Sequence, residues 1–423
     1  MAGRPGDAVM MFLFSRRWGA LAVATALVLA LLAACSRTDP PGQGERTAGG
    51  TGDFLARHWK RPLAPQFTSG QAGAAQLASL DPARCGDCHA AQYADWRQSL
   101  HGKAMGPGIT GQLAPFADPP AEEASQCTPC HAPLAEQSAS LAASGPVPAA
   151  ADSGLHAHGL ACAGCHMREG RIFGPARRDG STPAGDAAAL PHGGWSAAPG
   201  FEDAKFCASC HQFDADGYAL NGKLLENTYE EWRASPQAAA GQQCQSCHMP
   251  DRRHLWRGIH DPDMVRQALT IEASKPATRA GQLVAELKIG NTGAGHHFPT
   301  YVTPKVIVEG YQEDRGGRML AQTLRSHEIA RAVTPDLSRE IADTRIPAGG
   351  QVVFNYSAPR EPDAAVLVLR LRVDPDAFYR GVYQGLLARG ATGEGAARLR
   401  QALKNAQESP FVAYATRIPL ELH

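Results

Sequence analysis

The 423-residue sequence predicts an α+β multidomain protein, with a mainly helical and loop domain followed by a C-terminal antiparallel β-sandwich. Two observations carry this. Every cysteine after Cys35 lies between Cys85 and Cys247, in a stretch rich in Gly, Pro, Ala and Gln where only short helical runs, such as 90–104 and 220–234, can be drawn. From about Leu269 the cysteines stop and short alternating segments begin, separated by turn signals such as Asn291-Thr292-Gly293 and Pro347-Ala348-Gly349-Gly350.

The cysteines fall in five copies of one phrase: Cys85-Gly86-Asp87-Cys88-His89, Cys127-Thr128-Pro129-Cys130-His131, Cys162-Ala163-Gly164-Cys165-His166, Cys207-Ala208-Ser209-Cys210-His211 and Cys244-Gln245-Ser246-Cys247-His248. C-x-x-C-H is the attachment sequence of c-type haem. Two thiols three residues apart on one helical turn can form thioethers to the two vinyl groups of one porphyrin, and the adjacent imidazole then reaches the iron. The spacing is therefore a chemical requirement. A single copy could be a thiol redox pair or half a zinc site. Five copies, with no other pairing scheme, predict five covalently bound haem c groups whose irons are held by His89, His131, His166, His211 and His248. No disulfide can be drawn without dismantling one of these sites, and thiols committed in this way imply a compartment outside the cytoplasm.

Taken in order, residues 1–34 read as a lipoprotein signal peptide. Arg16 and Arg17 give a positive start, and 18–34 is apolar and ends in small residues. Leu32-Ala33-Ala34-Cys35 resembles a bacterial lipobox, which implies cleavage before Cys35 and lipidation of its thiol. The mature chain would then be anchored to a membrane without spanning it. Against this stands a transmembrane reading, since 18–34 reaches only the lower limit of about 17 residues for a span. Ser36, where Asp is absent, resembles lipoproteins sorted to the outer membrane, so the expected place is the periplasmic side of a bacterial membrane. Removing Arg4, Arg16, Arg17 and Asp7 from totals of 41 basic and 41 acidic residues leaves 38 and 40, a net charge of −2 that predicts no nucleic-acid partner.

Residues 35–53, rich in Gly, Pro, Thr and charge, read as a flexible tether. The segment 54–266 is the expected pentahaem domain. It leaves about 40 residues per porphyrin, too few for a separate polypeptide core, so the porphyrins would be the core. The segment 267–423 is the expected sandwich. Its strands are placed at 269–274, 282–289, 305–311, 323–333, 351–356, 365–373 and 411–419, with a helix over 375–406.

What lies opposite each proximal histidine decides the chemistry. A second histidine gives a low-spin iron suited to electron transfer, whereas an open face admits a substrate. Sixteen histidines are present, which leaves eleven for this role. His101 follows the helix that runs from the first motif. His254 and His260 come just after the fifth motif, too near Cys247 to swing over their own haem, so neighbouring irons are the targets. His192 precedes Gly193-Gly194-Trp195, and His156 or His158, just before the third motif, could also serve. His296 sits in the loop Asn291-Thr292-Gly293-Ala294-Gly295-His296-His297-Phe298-Pro299-Thr300 and could reach across from the sandwich. For each, the plain alternative is a solvated surface or turn residue. His58, His327 and His423 look unremarkable.

These residues together resemble the multihaem c-type cytochromes related to hydroxylamine oxidoreductase and its tetrahaem electron-accepting partner. The resemblance rests on Trp96-x3-Ser99-x-His101, on Glu231-Trp232-Arg233-Ala234-Ser235-Pro236 leading to the fifth motif with Met249-Pro250, and on the Gly-His-His-Phe-Pro-Thr loop. It implies mostly bis-histidine haems in closely packed parallel and perpendicular pairs, with electron transfer as the usual function, and it supports His101, His254, His260 and His296 as ligands. The sequence departs from the pattern in having five motifs and in having none that ends in Lys, as the nitrite reductases that form ammonia do. Pro236 follows Ser235 where Ser-x-His would offer another ligand, and Tyr301 stands where Gly is expected after Thr300.

The sequence therefore predicts an electron carrier in a periplasmic or outer-membrane respiratory chain, working between a redox protein donor and acceptor. The alternative is a reductase or oxidase of a small nitrogen or sulfur compound at one five-coordinate haem, with Arg252, Arg253 and Arg257 available nearby. A third role would have the sandwich dock a partner complex.

Overall fold

The computed structural model describes residues 50–67, 79–113, 121–143, 154–181 and 190–421. Cys35, the apolar run before it, most of the tether and His423 lie outside these residues. No helix among the described residues is long and apolar enough to cross a membrane.

The first described helix, Thr51–His58, begins at the end of the stretch read as a tether. The helical part continues in short pieces, each ended by a local signal. Asp81 caps Pro82–Gly86 by accepting from the Ala83 amide, with proline at the first helical position. The helix expected over 90–104 stops at Gln98. There the Ser99 hydroxyl turns back to the Trp96 carbonyl at 2.7 Å and accepts from the Gly102 amide at 3.2 Å, replacing the helical ladder with a side-chain turn. The helix expected over 220–234 is also shorter, Thr228–Arg233. Its first half is a hairpin, Ala219–Leu220 against Lys223–Leu224, because Asn221 and Gly222 both take positive φ, 53° and 71°. Asn-Gly is the strongest short hairpin signal, and it overrides the helical periodicity.

From Leu269 onward the chain builds two antiparallel sheets. In one, Gln282–Asn291 pairs with Gln351–Pro359 on one side and with Leu269–Ala273 and Ala277–Arg279 on the other. In the other, the order is Arg325–Ile329, Lys305–Asp314, Ala364–Asp374, Phe411–Pro419. Alternation sends Leu283, Ala285, Leu287 and Ile289 inward from the first sheet, where they meet Val306, Val308, Leu367, Leu369, Leu371 and Val373 of the second in one apolar core.

Two expected elements are divided. The strand over 323–333 breaks at Ala330, so that Arg331–Val333 pairs with Glu340–Asp343 and forms a hairpin reaching the helical part. At its base Arg331, 2% exposed, donates to the carbonyls of Leu224 at 2.6 Å, Lys223 at 2.8 Å and Leu220 at 3.2 Å, and to Glu340 at 2.9 Å. The helix over 375–406 is two helices, Ala377–Ala388 and Gly393–Glu408, because Gly390 adopts φ 91° and ends the first. They pack on the short helix Pro107–Leu113, where Leu399 lies so close to Gly111 that a Cβ there would come within 3.0 Å.

Candidate haem centres

Each motif lies on or beside one short helix, at Pro82–Gly86, Ala121–His131, Cys162–His166, Lys205–His211 and Cys244–His248, which puts its two thiols one turn apart. No disulfide links any of the ten motif cysteines. The motifs meet through these thiols. Cys85 lies beside Cys162, Cys130 beside Cys210, and Cys207 beside Cys244. Cys165 lies within electrostatic reach of Cys207 without touching it. The fourth motif thus touches the second and fifth, and the first touches the third. Arg61 bridges two of them, donating to Cys130 Sγ at 3.4 Å and Cys210 Sγ at 2.9 Å.

Three proximal histidines are oriented by backbone carbonyls. Nδ1 of His131 donates to Ala104 at 2.7 Å, that of His166 to Phe173 at 2.8 Å, and that of His248 to Arg257 at 2.6 Å. A carbonyl on Nδ1 fixes the tautomer and leaves Nε2 as the ligating nitrogen. His211 differs, because its Nδ1 meets the hydroxyl of Tyr301. Among the second histidines, Nδ1 of His254 is 3.1 Å from the Arg252 carbonyl and that of His296 is 2.9 Å from the His297 carbonyl. His101 Nδ1 is buried with no hydrogen-bond partner.

These rings stand in pairs. His248 and His296 have centroids 6.3 Å apart with planes 13° from parallel, His166 and His254 are 6.1 Å apart, and His101 and His211 are 6.2 Å apart. Two imidazoles that bind one iron from opposite sides have centroids roughly 6 Å apart, since a metal–imidazole bond is about 2 Å and the centroid lies about 1 Å behind its nitrogen. Burial lowers His101 to about 3, and His166 and His211 to about 4, so each ring is neutral and keeps the lone pair a metal needs.

The loop that presents His296 is clasped from both sides. The buried Asn291 amide donates to the His296 carbonyl at 2.8 Å and the Ile346 carbonyl at 2.9 Å. Glu231, on the helix Thr228–Arg233, accepts from the His297 amide at 3.2 Å, from Thr300 at 3.3 Å and from Arg345 at 2.9 Å. Burial opposes ionisation of Glu231, but His297 and Arg345 outweigh it and hold the carboxyl below its usual range.

Other histidines are placed differently. His260 Nε2 lies 3.1 Å from both carboxylate oxygens of Asp376, so the structure brings this residue to an acid and not to an imidazole. His192 sits in a turn at φ 46° with its Nδ1 on the Gly194 carbonyl at 2.8 Å. His156 bonds Ser140 at 2.9 Å through Nδ1 while its buried Nε2 has no partner, and His158 lies 3.7 Å from Asp81. His58, which sequence reasoning passed over, is buried against Phe54, Trp59, Phe173, Phe201 and Phe206, with its Nε2 2.8 Å from the Cys165 carbonyl. Its spacing from Phe54, one helical turn, was the available signal.

The donor set fits haem c. Among the described residues no three His, Cys, Asp or Glu side chains converge as a self-sufficient metal site. At three of the five motifs a second imidazole instead lies opposite the motif histidine, beside two thiols one turn apart, which is what an iron needs when a porphyrin supplies its other four ligands.

A family model described as cytochrome c554 and c-prime matches residues 84–167, which span the first three motifs. No curated protein matches the sequence. Among solved structures the chain is similar to a penta-heme cytochrome c552 from Thermochromatium tepidum. The two are 18% identical, and the match covers 79% of this chain and 97% of that one with a TM-score of 0.56, a likeness of fold. A structural-genomics target, SoR45, matches 25% of this chain and 72% of its own at 10% identity and a TM-score of 0.15, too slight to carry an argument. The family match and the shared fold together support a multihaem c-type cytochrome, with covalently bound haem c and electron transfer as its work.

Proposed function

We propose that the protein binds five haem c groups, one per motif, and carries single electrons along them between protein partners on the periplasmic side of a bacterial membrane. The lipobox at Leu32-Ala33-Ala34-Cys35 supports a lipid anchor at Cys35, and Ser36 supports the outer membrane as its place. The penta-heme relative in fold supports the count of five. The observation that carries the reading is the pairing of three proximal histidines with a second imidazole at the spacing of one iron.

Bound haem iron supplies the one-electron chemistry. The chain supplies everything that sets where and at what potential it runs. Each cysteine pair fixes one porphyrin edge. His101 would complete the fourth site, His254 the third and His296 the fifth. An iron held by two such imidazoles would suit outer-sphere transfer over substrate binding. The thiol contacts order the sites as a branched path. The second and fifth both join at the fourth, and the first leads to the third, whose Cys165 lies within electrostatic reach of Cys207 in the fourth.

A second reading has one specific support. Among the described ring contacts no second imidazole faces His89 or His131. Around the second motif the chain supplies Arg61 on Cys130, with Glu226 and Tyr379 nearby. A reductase or oxidase acting on a small nitrogen or sulfur compound would use such a face.

Low-temperature electron paramagnetic resonance of the oxidised protein, with haem per chain fixed by pyridine haemochrome, tests both. Five haems giving only low-spin signals are expected for the carrier. A high-spin component near one haem equivalent that shifts with nitrite or hydroxylamine would favour the enzyme. In His296→Ala, one low-spin signal should turn high-spin; an unchanged spectrum would sink that assignment.

A further inference from the structure

Tyr301 occupies a backbone position that suits glycine. Its φ is 62°, in the left-handed region that costs a bulky side chain free energy. A residue held there against its preference marks a position where something other than stability is served. The phenol points out of the sandwich loop into the helical part, where its hydroxyl meets His211 Nδ1 and its ring lies 6.2 Å from the His211 ring at 23°. Thr228 and the Glu226 carboxyl lie nearby, and Glu226 Oε2 is buried without a hydrogen-bond partner. With Nε2 of His211 committed to the iron, Nδ1 carries the ring proton, so the phenol oxygen is the acceptor.

The contrast with the other proximal histidines is chemical. His131, His166 and His248 donate to backbone carbonyls, which no substitution can remove. His211 donates to a side chain that is itself linked to further polar groups. The strength of an Nδ1–H hydrogen bond sets how much negative charge the ligating imidazole carries, and this tunes the metal.

We infer that Tyr301 is a positioning residue that sets the reduction potential of the fourth haem from the sandwich domain, at the site where the branches of the electron path meet. The inference rests on the five-haem reading and on the thiol contacts that make the fourth motif the junction. The hydroxyl accepts the imidazole N–H and so favours the oxidised iron. Losing it would leave Nδ1–H without an acceptor and raise the potential.

The test is redox titration of the full-length, haem-loaded protein with Tyr301→Phe, which keeps the ring and removes only the hydroxyl. One midpoint potential should rise while the other four hold, and the wave that moves should be the one displaced by His101→Met. Glu226→Gln, which leaves the tyrosine in place, should move the same wave by less and serves if the first variant fails to mature. Pyridine haemochrome separates the two levels of failure. Fewer than five haems in the unaltered protein would remove the reading beneath the inference. Five haems with no wave moved in either variant, or movement in a wave that His101→Met leaves alone, would overturn the role of Tyr301 itself.

Discussion

The two halves of the described chain solve the problem of burial differently. The sandwich encloses Leu287, Ile289, Val306, Val308, Ile329, Leu367, Leu369, Leu371 and Val373 completely, at 0% exposure, between two sheets. The apolar cluster of the helical part is far smaller, built from Leu63, Leu80, Leu134, Ala163 and Met167 with a few half-buried neighbours. A chain of that length with so little apolar side chain to enclose cannot offset its conformational entropy by polypeptide packing alone. One half is held together by its own side chains, and the other depends on what its cysteines attach.

The strongest test of this contrast removes attachment altogether. Replacing the ten motif cysteines with alanine should leave the β circular dichroism signal largely intact while residues 50–266 become open to protease; a helical part that stays resistant would end the comparison. A smaller effect is expected at the joint between the halves. Arg331→Ala strips a buried guanidinium from three carbonyls and Glu340 and should cost about 3–5 kcal/mol in denaturant unfolding, with strand and haem signals separating into two transitions. Within the sandwich, Leu369→Ala should cost about 2–5 kcal/mol by the same measurement without changing haem content, because its cavity opens in the core between the two sheets.

The smallest effect is one of pH, at the same joint. Lys223 pairs with Glu340 at 2.7 Å and with Asp343 at 2.6 Å. Burial raises the Asp343 carboxyl, but Arg345 and Lys223 outweigh it and hold the group well below the usual carboxylate range. A depressed folded-state value means the stabilisation is present above the unfolded value of about 4 and fades as pH falls toward the folded one. Stability should therefore decline below about pH 4, and Asp343→Asn should flatten that decline in thermal melts taken across the range.

What the sequence disclosed follows the range of the physics involved. The five C-x-x-C-H phrases were readable because thioether chemistry fixes their spacing locally, and strands such as Phe411–Pro419 were readable because alternation is local too. The end of the helix at Gln98, the Asn221-Gly222 hairpin and the break at Gly390 were written in single residues whose side-chain bonding or positive φ outweighs periodicity, and a wider pattern hides them. The pairing of His254 with His166, and of His101 with His211, joins residues far apart in the chain, so proximity to a motif could name the candidates but not their partners. The same proximity suggested His260, whose neighbour proved to be Asp376. Tyr301 was visible as a departure from an expected glycine, and only the fold gave it a destination.

The clasp formed by Asn291 and Glu231 bears on biogenesis. A chain emerging from its N-terminus delivers all five attachment motifs before the loop that carries His296 exists. If His296 completes the fifth site as proposed, that site would wait for the sandwich to close and for Asn291, Ile346 and Glu231 to seat that loop against His248. On that reading, occupancy of the last coordination position would report whether the far end of the protein has finished folding.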